Sequence, residues 1–462
     1  MQVFDTTTWH RDLHRFRHGG LNILLDVNSG AIHTIDDLTW DVLEALEATG
    51  GNVYEIMDRL AHYSPVEVEE VLSELSRLES EGSLFTSDQE LVGYRGSGES
   101  YLKSLCLHVA HDCNLRCRYC FAGTGPFGGD RSLMPVEVGR AAIDLLIKES
   151  GPRGHCEVDF FGGEPLLNFP VVQELVAYGR DQGARHGKEI RFTLTTNGVL
   201  LDDEVTRFLN REGVRAVLSL DGRPEVHDAM RPFRGGQPSY REIVPRFQRF
   251  VASRHGRDYY IRGTYTAYNT DFSRDVLHVV SLGFDQVSVE PVVAPAREPY
   301  ALDHVNLDAL EREYELLAEA CLASEEAGQP INYFHFNLEL QKGPCLPRRL
   351  AGCGAGHEYL AVTPSGELYP CHQFVGRREF LLGDVFRGLT EKDLSNRFLE
   401  AHVYNKEMCR DCWARFFCSG GCHANNFAHG GDLFRPYELG CALQRKRLEC
   451  GIYLQVRRML HV

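Results

Sequence analysis

The chain has no apolar stretch of membrane-spanning length, and its start, Met-Gln-Val-Phe-Asp, lacks the basic region followed by an apolar one that marks an exported protein. Both absences point to a cytoplasmic protein that stays off the membrane. Basic residues are scarce where a nucleic-acid reader would need them. From Asp36 to Glu90 there are 15 acidic side chains against only Arg59 and Arg77, in a chain of net charge -16. A stretch of that sign does not displace counterions from phosphates, which argues against nucleic acid as its partner. What is plentiful is cysteine, 15 in 462 residues. In a chain that is not exported they favour metal ligation over disulfides, in a reducing and anaerobic setting. The length allows two or three domains with ample cores.

The run Cys113-Asn-Leu-Arg-Cys117-Arg-Tyr-Cys120 offers three thiolates to a cube of four irons, so one iron is left free to bind a substrate or cofactor directly. A structural zinc site and a disulfide are the alternatives, but zinc sites draw on paired C-x-x-C units and close at four ligands. With Tyr119 before the last cysteine and Phe121 after it, the run resembles the signature of the radical S-adenosylmethionine (SAM) enzymes. That resemblance implies a [4Fe-4S] cluster on Cys113, Cys117 and Cys120, with SAM bound at the open iron.

The organisation along the chain fits three parts, 1–95, 96–330 and 331–462. Residues 21–35 read as a β-hairpin turning at Asn28-Ser29-Gly30, and a helix begins near Asp36 or Asp37 with Leu38, Val42, Leu43 and Leu46 on one face. A second helix has Ser64 as N-cap, Pro65 at its first position, Glu67 completing a capping box and Gly82 beyond its end, with Val68, Val71, Leu72, Leu75 and Leu78 at the helical period. This winged-helix-like pattern resembles the precursor-peptide recognition element of enzymes that modify ribosomally made peptides. An exposed edge of its sheet would take the peptide leader as an extra strand. DNA binding is the other use of such a module, and the acidic helices oppose it.

Tyr94 to Ser100 reads as a Gly/Ser linker. Beyond it, apolar strands at 104–109, 156–161, 190–196, 214–220, 259–266 and 286–290 alternate with helical segments such as 135–149, 203–211 and 272–281. Such alternation predicts an α/β fold of parallel strands, and six units are too few to close an eight-fold barrel, so an open, partial (β/α)6 barrel is expected with its site at the carboxyl ends of the strands.

Four features fall at those ends. The cysteines follow the first strand. Phe160-Phe-Gly-Gly-Glu-Pro165 follows the second, Thr195-Thr-Asn-Gly198 the third, and Ser219-Leu-Asp-Gly222, running on to His227-Asp-Ala-Met-Arg231, the fourth. Singly these are ordinary turns; their order behind the triplet is what gives them meaning. The radical SAM resemblance implies a SAM pocket of Phe121, Gly162, Gly163, Glu164, Asn197, Ser219 and Arg231. Gly162 and Gly163 would let the backbone approach the ligand, and Glu164 would pair with its ammonium. By likeness to the anaerobic sulfatase-maturing enzymes, Ser219 would contact the ribose and Arg231 the carboxylate.

A second set lies near the C-terminus: Cys345, Cys353, Gly366-x4-Cys371, Cys409-x2-Cys412-x5-Cys418-x3-Cys422 and Cys441. Cys409-x2-Cys412 alone would serve half a zinc ribbon. The whole pattern resembles the SPASM domain, a cysteine-rich extension that holds two auxiliary [4Fe-4S] clusters, bringing the total to three. The resemblance assigns Cys409, Cys412, Cys418 and Cys441 to an outer cluster and Cys353, Cys371 and Cys422 to an inner one, with Cys345 the candidate for its fourth ligand. Without Cys345 the inner cluster would have an iron open to a substrate thiolate. Cys106, Cys156, Cys321 and Cys450 lie in apolar patterns and read as buried small hydrophobes.

Sulfatase-maturing enzymes carry an acidic residue after the cysteine that matches Cys371; here it is His372. The chain is more similar to the maturases of six-cysteines-in-forty-five peptides, at Ala110-His-Asp-Cys113, Cys120 to Gly129, Glu157 to Pro165 and Ala351 to His357. That likeness implies thioether formation between a cysteine sulfur and a carbon of another residue in a cysteine-rich precursor peptide, with a flavodoxin or ferredoxin as electron donor. A carbon-carbon crosslinking maturase, a formylglycine-forming enzyme and a non-catalytic iron-sulfur electron-transfer or scaffold protein are the alternatives.

Overall fold

The computed structural model describes residues 4–88, 100–340 and 346–460. Cys345 and all of the expected linker except Ser100 fall outside the described residues. The expected hairpin is present as β2 (Leu21–Asp26) and β3 (Ile32–Ile35), but a third antiparallel strand, β1 (Leu13–His18), precedes it and pairs with β2 in the order β1-β2-β3. The turn between β1 and β2 is Gly19-Gly20, both at positive φ, as a tight hairpin requires. Helix α1 (Asp37–Ala48) starts where Asp36 accepts from the Thr39 N–H at 2.8 Å. Helix α2 (Pro65–Ser80) carries the expected capping box, with the Ser64 N–H donating to Glu67 at 3.3 Å. Val42, Leu43 and Leu46 of α1 and Val68, Leu72 and Leu75 of α2 close one core with Leu24 of β2.

The central sheet matches the expected boundaries to within a residue. Strands β4 (Ser104–Ala110), β5 (His155–Gly162), β6 (Glu189–Thr196), β7 (Arg215–Ser219), β8 (Tyr259–Tyr265) and β9 (Gln286–Pro291) are all parallel and lie side by side in chain order. Their pleat splits each strand into two faces. Leu105, Leu107 and Val109 of β4 and Val158 and Phe160 of β5 join the large core beneath helices α3 (Val136–Glu149) and α4 (Phe169–Arg185). Each fully buried aliphatic side chain there is worth about 1.5–3 kcal/mol. Cys106 and Phe161, of the opposite parity, face a separate interior cluster with Tyr359, Ala361 and Cys371.

The sheet does not stop at six strands. β10 (Asn332–Tyr333) adds to β9, and β11 (Tyr359–Val362) pairs in parallel with β4, continued by the antiparallel β12 (Glu367–Tyr369), β13 (Gly383–Asp384) and β14 (Gly388–Leu389). The cysteine-rich part thus grows out of the barrel's own first edge. Cys106, Cys156, Cys321 and Cys450 are all buried. No helix among the described residues is long and apolar enough to cross a membrane.

Helix α5 (Leu307–Glu326) packs on the last helix, α6 (Glu438–Leu460), and Tyr453 of α6 donates to Glu319 at 2.8 Å. The first 88 residues are clamped to the cysteine-rich part by a buried cation. Arg415, fully buried, donates to the Arg11 carbonyl at 2.6 Å, to Asp12 at 2.6 Å and to Asn28 at 2.7 Å, with Asp88 at 3.6 Å. Beside it His14 stacks on Trp413 at 3.7 Å. Removing one partner of a buried pair strands the other. Arg415→Met is therefore expected to cost about 3–5 kcal/mol, read as a lower urea midpoint; an unchanged midpoint would contradict the clamp.

Candidate functional site

The cysteine loop leaves β4 at Ala110 and is bound on two sides. On one side it meets the end of β5, where the Gly163 N–H donates to Ala110 O and the Glu164 N–H to Asp112 O, both at 2.8 Å. A Cβ on Gly162 would sit 2.3 Å from Ala110 O, and one on Gly163 2.1 Å from Asp112 O. This corrects the expectation for the two glycines: they admit the backbone of the cysteine loop, and so fix it against β5. On the other side Arg116 N–H donates to Pro232 O at 2.8 Å and Arg118 N–H to Met230 O at 2.9 Å. The segment that carries Arg231 is thus the loop's lateral wall.

Glu164 is buried between these elements. Its carboxylate accepts from Thr196 Oγ1 at 2.8 Å, the Asn197 N–H at 2.8 Å and the Leu166 N–H at 3.2 Å, and it pairs with no cation among the described residues. Burial raises its pKa from the ordinary 4.5 to about 7, against the pull of the three hydrogen bonds. Asn197 reaches from the end of β6 to Cys113, its Nδ2 3.6 Å from the sulfur and 2.7 Å from Asn114 Oδ1. A carboxylate built into a polar cradle with no partner of its own is suited to a cationic ligand beside the thiols.

At the end of β7 lies Ser219, buried, and two residues on is Asp221, which sequence reasoning did not single out. Asp221 accepts from Tyr119 OH at 2.6 Å, from Arg231 Nε at 3.0 Å and from the Thr264 N–H at 3.0 Å. Arg231 also lies over the Tyr119 ring, 5.4 Å from its centre. A fully buried Asp inside Ser-Leu-Asp-Gly, ten residues before an Arg, was the available signal. The Cys113 and Cys117 thiols are pushed up to about 12 by burial, and only a metal would hold them as thiolates. Phe121 is half exposed and faces Phe161 at 6.4 Å and His372 at 5.4 Å.

The interior of the barrel is polar, which the outward core pattern had concealed. His108 meets His111 at 3.1 Å, Tyr359 OH meets His372 Nδ1 at 3.3 Å, and Arg262 of β8 pairs with Glu290 of β9 at 2.6 Å. Burial lowers His372 to about 4. It leads from Phe121 directly to Cys371.

The remaining cysteines fall into two groups. Cys409, Cys412, Cys418 and Cys441 line one recess of about 450 Å³, open mouth included, with Met408, Arg415 and Arg445. The thiols that act on Cys371 are those of Cys422 and Cys353. Among the described residues no three His, Cys, Asp or Glu side chains converge as the ligands of a single metal ion would. Soft thiol donors grouped by threes and fours, without such convergence, fit a multi-iron core rather than one zinc ion.

Glu164 gives a pH test. Because its folded-state value lies above 4.5, the stability this carboxyl contributes is complete below that pH and is lost as pH rises through about 7. Relative to Glu164→Gln, the metal-free wild type is expected to lose about 3 kcal/mol between pH 4.5 and about 8, read from urea midpoints. A pH-independent difference would contradict the buried, unpaired carboxylate.

Comparison with known proteins agrees with this geometry. Residues 107–265, from β4 to the end of β8, match the Radical SAM superfamily. The cysteine-type anaerobic sulfatase-maturating enzyme of Clostridium novyi (strain NT) is 22% identical over 361 residues, 71% of this chain and 91% of that protein. The radical SAM cyclopropyl synthase TigE of Paramaledivibacter caminithermalis is 20% identical over 465 residues, 93% of this chain and 90% of its own. An uncharacterized protein of Methanocaldococcus jannaschii is 30% identical over 138 residues, and there the match spans only 45% of the relative's length. In fold, the solved structure of native anSMEcpe with bound AdoMet and Kp18Cys peptide superposes with a TM-score of 0.65 at 19% identity, covering 78% of this chain and 99% of that one. The matched segment, which holds the thiol triplet, Glu164, Asn197, Ser219 and Arg231, makes the chain a member of the Radical SAM superfamily.

Proposed function

We propose that this protein is a radical SAM maturase that installs thioether crosslinks in a ribosomally made, cysteine-rich precursor peptide. The observation that carries the reading is the pairing of a thiol triplet beside an unpartnered buried Glu164 with a second thiol group, Cys353, Cys371 and Cys422, joined to it through Phe121, Phe161 and His372.

Cys113, Cys117 and Cys120 would hold a [4Fe-4S] cluster, and Glu164 the ammonium of SAM, with Phe121, Gly162, Gly163, Asn197, Ser219 and Arg231 around it. When bound, cluster and SAM supply a reductively generated 5′-deoxyadenosyl radical. The chain's own part is to orient and enclose. Asp221 holds Arg231 and Tyr119 in one arrangement, and Glu164 is fixed by three donors before any ligand arrives. The polar interior, with Arg262, Glu290 and His372, would receive the peptide segment. Two auxiliary clusters would sit on the C-terminal groups, with Cys345 as the eighth thiol. The leader would add as a strand along β3, the outer strand of the N-terminal sheet. A flavodoxin or ferredoxin would serve as donor in the cytoplasm.

Anaerobic incubation of reconstituted protein with SAM, dithionite and a cysteine-rich peptide is expected to yield a product lighter by a pair of hydrogens per link, with one thiol lost to alkylation. About twelve irons per chain are expected. Cys117→Ala should abolish 5′-deoxyadenosine formation, and Glu164→Gln should weaken SAM binding about 10- to 100-fold, the worth of a charged hydrogen bond. Full peptide modification by Cys117→Ala would refute the reading. The length-wide likeness to a cyclopropyl synthase favours one second reading, carbon-carbon bond formation. That product would have the same mass change but every thiol still open to alkylation.

A further inference from the structure

Two cations are completely buried in the cysteine-rich part, Lys406 and Arg415, and they are neutralised in different ways. Arg415 has Asp12, with Asp88 close by. Lys406 has no carboxylate among the described residues. Its ammonium donates to the Gly420 carbonyl at 2.7 Å, and the charged groups that act on it are thiols, Cys409 and Cys418 from one group, Cys422 and Cys353 from the other. The position is built on both sides. The Lys406 carbonyl accepts from the Cys409 N–H at 2.9 Å, and a Cβ on Gly420 would stand 3.0 Å from Nζ, so glycine leaves the ammonium its room. Asn426 shares the Gly420 carbonyl at 3.1 Å. The neighbouring His423, equally buried, makes no hydrogen bond through either ring nitrogen and is no acceptor for the lysine.

An ammonium in a dry interior with one neutral acceptor is strongly disfavoured unless negative charge stands next to it. Thiolates on both sides would supply that charge, because a cubane with thiolate ligands is a net anion and becomes more negative on reduction. Net charge and the groups around the sulfurs are what set the potential of such a centre. We infer that Lys406 is a charged positioning residue shared by both auxiliary clusters, its ammonium standing between the Cys353/Cys371/Cys422 and Cys409/Cys412/Cys418/Cys441 groups and raising the reduction potential of both together. It rests on the reading that these groups hold iron-sulfur clusters. One cation facing two centres would keep their potentials in step, so that an electron crosses between them without a large uphill move in either direction.

The test uses the full chain with Cys113, Cys117 and Cys120 changed to Ala, so that the auxiliary centres alone report. This parent is expected to bind about eight irons. Potentials are read by redox titration followed by electron paramagnetic resonance, and folding by circular dichroism. Lys406→Met and Lys406→Gln remove the charge, and whichever folds serves the test. The expected result is a shift of both signals to lower potential, or loss of iron from both groups, with Lys406→Arg restoring the parent's behaviour. Unchanged potentials with iron intact, or an effect on one centre alone, would overturn the inference. A parent that binds no iron would overturn the cluster reading itself, and the inference with it, before any lysine variant is compared.

Discussion

The loop that carries Cys113, Cys117 and Cys120 has little secondary structure of its own, and its shape depends on one backbone contact. Ala110 and Asp112 lie so close to Gly162 and Gly163 that no side chain fits between them, and two N–H groups of the β5 end are used up on the β4 side. That contact ties the thiols to Glu164, because the residue whose N–H reaches Asp112 is Glu164 itself. Its carboxylate is in turn fixed by the ends of β5 and β6. The Arg116 and Arg118 N–H groups tie the far side of the loop to the segment after β7. Three parallel strands, each stopping at the same level, thereby hold a flexible-looking cysteine run in a single arrangement.

The rest of the chain is attached to this frame rather than hung beside it. β11 pairs directly with β4, so the turn that bears Cys371 and His372 leaves from the strand next to the one that launches the first triplet. Phe121, Phe161 and His372 fill the space between. The N-terminal module is fixed in turn through Arg415, which lies within the Cys412–Cys418 stretch and spends its hydrogen bonds on Arg11, Asp12 and Asn28. The proposed leader-binding strand and the proposed outer cluster thus share one buried ionic contact.

Much of this was legible in the sequence. The six parallel strands stood out because buried strands read as apolar runs, and α2 because Ser64, Pro65 and Glu67 punctuate it. The sorting of seven distant cysteines into two groups came from likeness to a known pattern, since spacing alone does not say which thiols meet. β1 was missed because His14, Arg15 and Arg17 break its apolar pattern, although Gly19-Gly20 marked the hairpin. The role of Gly162 and Gly163 was misassigned because sequence does not say what approaches a glycine. Asp221, the Arg262–Glu290 pair and Lys406 were invisible for a related reason. A charged residue in an otherwise ordinary segment reads as solvated until the fold shows what encloses it.

The central claim is that the triplet leaves a metal position open next to Glu164, where the amino group of SAM is received. Electron-nuclear double resonance on the reduced protein, with SAM carrying a nitrogen isotope label at its amino group, tests this directly. The account predicts a nitrogen coupling at the Cys113/Cys117/Cys120 centre that disappears in Cys117→Ala. A reduced centre on those cysteines that shows no coupling to the labelled nitrogen would contradict it.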